Sequence, residues 1–145
     1  MRIGTVRVSS YATVALALAF LVGACGGASD DTGAGESAEI QQGAALYEEN
    51  CVSCHGGESG GAIADSPPRH NANGHTWHHP DCQLIDITLR GAAAWGADPS
   101  TSAMPAFAGE LTEAEAEAIL AYIKTWWTDE QRASQAAVTQ TNCIE

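Results

Sequence analysis

Two cysteines and a histidine lie within five positions, at Cys51, Cys54 and His55, and two glycines follow them. This C-x-x-C-H motif constrains the fold because each chemistry that uses it needs a different structure around it. A disulfide oxidoreductase places such a cysteine pair at a strand-to-helix junction. A zinc site needs a second ligand pair at matching spacing. A c-type haem site uses the two thiols as covalent anchors and the imidazole as an iron ligand.

The surrounding sequence favours the third of these chemistries. No other C-x-x-C pair occurs in the 145 residues, and no convincing run of β-branched residues precedes the motif. The upstream residues have a helical pattern instead, because Ile40, Ala44 and Tyr47 recur at helical spacing. Positions three apart share one face of a helix, so both thiols would lie together beside the imidazole. The motif therefore predicts one covalent haem c with His55 on its iron.

A second iron ligand is expected from a methionine. The chain has two, Met1 and Met104, and the first belongs to a predicted targeting segment. Pro105 biases Met104 toward an extended backbone, so the thioether would hang from a rigid loop on the far side of the haem. With both axial positions filled, the iron has no site for a small-molecule substrate. These residues predict a one-electron carrier that is not an enzyme.

Two stretches in this order resemble the class I cytochromes c of bacteria, GAALYEENCVSCHG and MPAFAGELTEAEAEAILAYIKTWW. The resemblance covers roughly residues 40–127. It implies an all-α fold of about three to four helices wrapped around one haem, in an electron carrier that serves other redox proteins. It also implies that the first and last helices cross at Gly43, Tyr47 and Tyr122.

The same resemblance assigns roles to the segment between the two motifs. The carbonyl of Pro68 is the expected acceptor for the second ring nitrogen of His55. The stretch GHTWHHPD resembles a group within the family, and Trp77 with His75 and His78 would line the haem edge and donate to its propionates. A copper or zinc site is the alternative use of this segment, because four histidines and a cysteine lie within 13 positions. These residues are His70, His75, His78, His79 and Cys82.

Two further helices are predicted downstream. A middle helix should begin near Pro80 and end at Gly91, with four buried residues. These are Leu84, Ile85, Thr88 and Leu89. The last helix should begin at Thr112, which forms a capping box with Glu115, and it carries one apolar stripe. The stripe comprises Ala116, Leu120, Ile123 and Trp127.

The N-terminal residues predict export and a lipid anchor. Residues 1–24 carry two arginines, an apolar run of 11 residues from Ala12 to Val22 and then small residues, which is the order of a signal peptide. The run is too short to span a bilayer, which takes about 20 residues. The stretch LVGACGG resembles the lipobox of bacterial lipoproteins, which would make Cys25 the first, lipid-carrying residue. The expected location is the periplasmic side of the cell envelope, on a membrane.

The residues after the predicted signal peptide divide into a tether and a domain. Residues 25–39 are rich in glycine, alanine, serine and acids, so we expect a flexible tether there. Residues 40–145 would form the folded domain. Residues 25–145 contain four basic and 18 acidic side chains, a net charge of −14. That charge repels nucleic acid and favours a redox partner with a basic docking surface.

The two remaining cysteines have a predicted use as well. If one of the five cysteines carries lipid and two carry haem, Cys82 and Cys143 are left to pair in an oxidising compartment. Their disulfide would pin the polar tail after Trp127 onto the middle helix. A bridge between two molecules is the alternative.

Two other functions fit the sequence less well. The first is a copper- or zinc-handling lipoprotein that uses the histidine-rich segment. The second is a haem-based sensor or catalytic subunit in which Met104 leaves the iron to admit a gas or a peroxide.

Overall fold

A computed structural model of the protein describes residues 32–60, 67–98, 100 and 104–143. Within these ranges the chain forms helices and no strand, so the predicted all-α class is confirmed. The α-helices are α1 (Thr32–Asn50), α2 (Val52–His55), α3 (Asp81–Arg90), α4 (Glu113–Lys124) and α5 (Asp129–Asn142). Two 3₁₀ turns accompany them, Thr76–His78 and Ala92–Trp95. The predicted signal peptide and Cys25 lie outside the described residues.

The first helix is longer than the sequence pattern indicates. It begins at Thr32, so residues 32–39, which composition assigns to the tether, are helical. It ends at Asn50, and α2 follows after a single residue. The backbone N–H of Cys51 donates to Tyr47 O at 2.8 Å, and that of His55 donates to Cys51 O at 3.0 Å. The chain therefore keeps helical hydrogen bonding through the C-x-x-C-H motif.

The centre of the fold is the crossing of α1 and α4. Gly43 is buried there, and a Cβ atom on it would lie 1.9 Å from the carbonyl oxygen of Ala118. Only glycine allows the two helices to approach this closely. The rings of Tyr47 and Tyr122 meet edge to face beside this contact, with centroids 5.8 Å apart. The crossing expected from the family resemblance is therefore present, at the residues expected.

The local signals for α4 are confirmed. Thr112 accepts from the backbone N–H of Glu115, and the Glu115 side chain accepts from the backbone N–H of Thr112. All four residues of the predicted apolar stripe are buried. Leu120, Ile123 and Trp127 belong to the core cluster, whose other members are Tyr47, Leu111 and Ile119.

Helix α3 has the predicted bounds but not the predicted burial. Pro80 precedes its first residue and Gly91 follows its last. The four residues expected to be buried are only partly buried, and no residue of the helix is fully buried. These side chains keep some contact with solvent, although Leu84, Ile85 and Leu89 pack against the core cluster.

The residues after Trp127 are a helix rather than the predicted polar tail. Thr128 caps α5 by a second capping box, with Gln131 as its partner. Cys143 follows the last residue of the helix and is joined to Cys82 at the start of α3 by a disulfide. Helix α5 thus lies against the segment that leads into α3.

None of the described helices is both long enough and apolar enough to cross a membrane.

Candidate haem site

The C-x-x-C-H motif forms a compact helical turn whose two thiols are not bonded to each other. Cys51 is half-buried, Cys54 is exposed, and His55 is 6% exposed. Burial, with a smaller effect from the neighbouring Cys54, raises the pKa of the Cys51 thiol to about 11. Reactive C-x-x-C pairs have lowered thiol pKa values. The turn therefore does not resemble a disulfide oxidoreductase site.

A hydrogen bond from Tyr47 holds the end of the motif in place. The Tyr47 hydroxyl donates to the carbonyl oxygen of Gly56 at 2.7 Å. Burial raises the pKa of this phenol, so the hydroxyl keeps the proton that it donates. The contact ties the end of the motif to the α1 and α4 crossing, which fixes the motif relative to the core.

His55 is held in a neutral form that can bind a metal ion. Its Nδ1 lies 2.7 Å from the carbonyl oxygen of Pro68, which can only accept, so Nδ1 carries a proton. Burial lowers the pKa of His55, although the bond to Pro68 acts in the opposite direction. A neutral imidazole with a protonated Nδ1 has its lone pair on Nε2. Nε2 is therefore the atom that can bind a metal.

The loop that carries Met104 rests on the C-terminal end of α3. The backbone N–H of Phe107 donates to Thr88 O at 3.2 Å, and that of Ala108 donates to Leu89 O at 3.0 Å. Gly91 has a φ of +79°, and a Cβ on it would lie 3.2 Å from Met104 O. These contacts hold the backbone of the loop, and the side chain of Met104 is half-buried.

Partly buried apolar side chains border the core cluster, and two of them, Cys51 and Val52, belong to the motif. Partly buried side chains from α1, α2, α3, the Met104 loop and the 3₁₀ turn near His79 pack against the core cluster. They include Leu46, Val52, Trp77, Leu84, Ile85, Leu89 and Phe107. A flat apolar group needs such side chains around it, because burying apolar surface is what holds it in place.

The family model described as cytochrome c matches residues 40–127. The chain belongs to the cytochrome c family. A cytochrome c6 from Synechococcus sp. (strain ATCC 27167 / PCC 6312) is 28% identical over 87 residues, which are 60% of this chain and 70% of that protein. No solved structure matches the chain.

The cytochrome c family implies a covalently bound haem c, and the residues present fit it. Cys51 and Cys54 are free thiols on one turn, and His55 is neutral with Nε2 as its remaining lone pair. Arg69 adds an observation that sequence reasoning missed. Its Nε is buried and has no hydrogen-bond partner in the described residues. A buried cationic donor needs an acceptor, and a haem propionate is an anion of the right kind.

Unlike Arg69, the three residues that were expected to donate to the propionates either have another acceptor already or are exposed. Trp77 donates its Nε1–H to Gly74 O at 3.0 Å, so this donor already has an acceptor. His75 and His78 are exposed, and the ring of His78 lies against that of Trp77 with centroids 3.6 Å apart. Their role at the haem edge stays a prediction. The only local signal for Arg69 was its place next to Pro68.

The histidine-rich segment does not support a second metal site. In the described part of the chain, no group of three or more His, Cys, Asp or Glu side chains could hold a metal ion. Cys82 is in a disulfide, and His79 Nδ1 is 3.3 Å from Gln83 Oε1. His70 Nδ1 is 2.8 Å from Thr76 Oγ1. The prediction of copper or zinc at these residues is not supported, because the described residues contain no such group and the sulfur of Cys82 is already bonded to Cys143.

His70 has a position that the sequence did not indicate. Its ring stacks on the ring of His55, with centroids 4.2 Å apart and planes inclined by 26°. Burial, followed by the nearby His55 and His75, lowers the pKa of His70 to about 3. His70 is therefore neutral at physiological pH, and its ring forms part of the surroundings of His55.

Proposed function

We propose that the protein is a one-electron carrier with a single haem c bound through thioether bonds to Cys51 and Cys54. His55 and Met104 are its proposed axial ligands. When bound, the haem supplies one-electron exchange between ferrous and ferric iron. The chain's own residues attach it, orient it and exclude water from it. The proposal rests on one observation. His55 is buried and oriented by the carbonyl of Pro68, and two free thiols lie on the same turn.

The covalent attachment is tested on the full chain produced together with a cytochrome c maturation system. We expect a red protein that stains for haem after denaturing electrophoresis and keeps its pigment in acid acetone. The double variant Cys51→Ser/Cys54→Ser should lose the covalent pigment. Cys82→Ser/Cys143→Ser is the matched control and should keep it. A colourless wild-type protein would contradict the proposal.

Met104 as second ligand is supported by its loop. The backbone hydrogen bonds to α3 fix this loop, and the thioether is partly sheltered from water. A neutral thioether favours reduced iron, so the midpoint potential should lie above that of a bis-histidine haem. Met104→Leu should lower the potential and let the reduced protein bind carbon monoxide. Glu110→Gln, at an exposed position later in the same loop, should do neither.

Carbon monoxide also separates this function from a haem-based sensor or catalytic subunit. A carrier with two protein ligands should bind the gas slowly in its wild-type form. Rapid binding to the reduced wild-type protein would indicate that Met104 leaves the iron easily, and it would favour the sensor.

A redox partner with a basic docking surface is part of the proposal. Three of the four basic residues of the mature chain are paired with carboxylates: Arg90 with Asp86, Lys124 with Asp81 and Arg132 with Asp129. The fourth, Arg69, is partly buried, while Glu48, Glu49, Glu113 and Glu117 are exposed. The outer surface is therefore dominated by negative charge. Opposite charge on a partner would speed encounter.

Small redox reagents test the surface charge directly. Oxidation of the reduced protein by tris(1,10-phenanthroline)cobalt(III), a cation that is a strong enough oxidant for a His/Met haem, should slow as salt is added, because salt screens attraction. Oxidation by ferricyanide, an anion, should accelerate. The same salt dependence for both reagents would contradict an acidic surface at the site of electron exit.

The membrane anchor rests on Cys25. Several acyl chains on one residue are enough for stable attachment, whereas one is marginal. The full chain expressed in a bacterium should appear in the membrane fraction and move to the detergent phase. Cys25→Ser should abolish the lipid mass on the mature N-terminus, with Cys82→Ser as control. An unlipidated wild-type N-terminus would contradict the anchor.

A further inference from the structure

The ring of His70 lies on the face of the His55 ring, and the proposed function gives it no role. The two imidazoles are nearly parallel, with centroids 4.2 Å apart. The rings of Tyr47 and His70 form a T-shaped pair, with centroids 6.1 Å apart and an interplanar angle of 78°. His70 thus fills the space between the aromatic core and the proposed iron ligand.

His70 is itself held at both its ring and its backbone. The Thr76 hydroxyl donates to Arg69 O at 3.3 Å, so its oxygen is left to accept from His70 Nδ1–H at 2.8 Å. Trp127 donates its Nε1–H to the carbonyl oxygen of His70 at 2.7 Å. Thr76 and Trp127 are both buried. The ring of His70 is therefore fixed by partners that cannot easily move.

One hydrogen bond does not fix the ring plane of His55. The bond from Nδ1 to Pro68 O sets where one edge of the ring points, but carbonyl oxygens accept over a broad range of directions. The ring could still turn about that bond. A second ring stacked on its face blocks this rotation, because turning would drive His55 into His70.

We propose that His70 is a positioning residue that fixes the ring plane of His55. The inference rests on the proposed function, in which His55 Nε2 binds the iron. Pro68 sets the direction of the ligand and its tautomer, while His70 sets the rotation of its ring about the bond to iron. Groups that orient a metal-bound histidine tune the metal, and a stacked neutral imidazole is one such group.

The test uses four variants of the full-length holoprotein and electron paramagnetic resonance of its ferric form. The g-values report the orientation of the axial ligand planes, which mere loss of stability does not change. His70→Leu removes the stacked imidazole and Thr76→Val removes the acceptor that holds it. His70→Phe keeps an aromatic face. His79→Leu is the control, since the ring of His79 contacts His75 and Gln83 instead of His55.

The expected result is a graded shift. His70→Leu should shift the largest g-value and broaden the signal, Thr76→Val should do so less, and His70→Phe should stay closest to wild type among the three. His79→Leu should leave the signal unchanged. The midpoint potential should move in the same order.

Unchanged g-values and potential in His70→Leu and Thr76→Val, with haem bound, would overturn the inference even if both variants unfold more easily. If His70→Leu does not fold, Thr76→Val and His70→Phe decide the question, and identical signals in these two and wild type overturn it. A wild-type protein without covalent haem is a separate outcome that contradicts the proposed function itself.

Discussion

The crossing of α1 with α4 and the docking of α5 are built from opposite kinds of contact. At the crossing, a glycine lets two backbones touch, and apolar and aromatic side chains close around the contact. At α5, side-chain amides and a hydroxyl contact the backbone of the segment that leads into α3. Gln131 donates to Ala72 O at 2.9 Å, and Gln135 donates to His79 O at 3.2 Å.

The difference follows the boundary of the family match, which ends at residue 127. Within the matched residues, the fit between apolar surfaces determines how the helices pack, because close-packed surfaces tolerate little displacement. Helix α5 lies outside the match and has few apolar side chains, so hydrogen bonds and a disulfide hold it. The region that it contacts contains His70 and Pro68, which surround His55. An added element of this kind would hold the surroundings of His55 in place without altering the core.

The disulfide is expected to make the largest contribution to holding α5. It closes a loop with a sequence separation of 61 residues. The double variant Cys82→Ser/Cys143→Ser should lose about 4 kcal/mol of unfolding free energy by the loop-entropy argument. Urea unfolding of the holoprotein measures this, and reductant should have no effect on the variant. Hydrogen exchange should rise in α5 first, and equal increases in α1 and α4 would contradict a boundary between the regions.

The α1 and α4 crossing should respond most to Gly43. Gly43→Ala places a Cβ 1.9 Å from the carbonyl oxygen of Ala118, so the helices must separate. We expect a loss of about 3 kcal/mol. Gly109→Ala is the control, because nothing lies within 4 Å of its Cβ. Denaturant unfolding compares the two, and equal small losses would show that the helices can move apart freely.

A third substitution tests whether polar contacts alone position α5. Gln135 is 2% exposed, and its amide nitrogen also contacts the Asp81 carboxylate and Thr139 Oγ1. Gln135→Leu keeps the volume but takes this donor from partly buried acceptors, which should cost about 2 kcal/mol. Gln140→Leu, on the exposed side of α5, should cost little. If Gln135→Leu is as stable as wild type, packing and not hydrogen bonding holds the helix.

The sequence predicted the apolar region much better than the polar one. The stripe on α4 and its capping box are local patterns, so Thr112, Leu120 and Ile123 could be assigned from spacing alone. Elimination among five cysteines pointed to Cys82 and Cys143, the pair that the structure joins. The C-x-x-C-H motif likewise needs no tertiary information.

Helix α5 and the His70 contact depend on positions far apart in the chain. Few apolar residues recur along α5, so it carries little hydrophobic periodicity, and its partners lie more than 50 residues away. The capping pair Thr128 and Gln131 was the one local signal for it. His70 stacks on a residue 15 positions earlier across a turn that periodicity cannot predict. Composition also suggested a metal cluster there, because it counts histidines without knowing their directions.

The two capping boxes allow the most closely matched comparison of the apolar region with the polar one, and they have the smallest expected effect on stability. Thr112 caps α4 in the apolar region, and Thr128 caps α5 in the polar one, each with the residue three positions later. Thr112→Ala and Thr128→Ala should each cost about 1 kcal/mol, since each removes a side-chain acceptor for a helix N–H. Thr141→Ala is the control, because its hydroxyl donates only to Ala137 O within α5.

The two variants should differ in where the loss appears. Thr112→Ala should lower the global unfolding free energy, because α4 belongs to the core. Thr128→Ala should mainly speed hydrogen exchange in α5, whose disulfide still limits how far it can leave. Identical exchange profiles for the two variants would mean that α5 unfolds together with the core, and that the polar region is part of one cooperative unit.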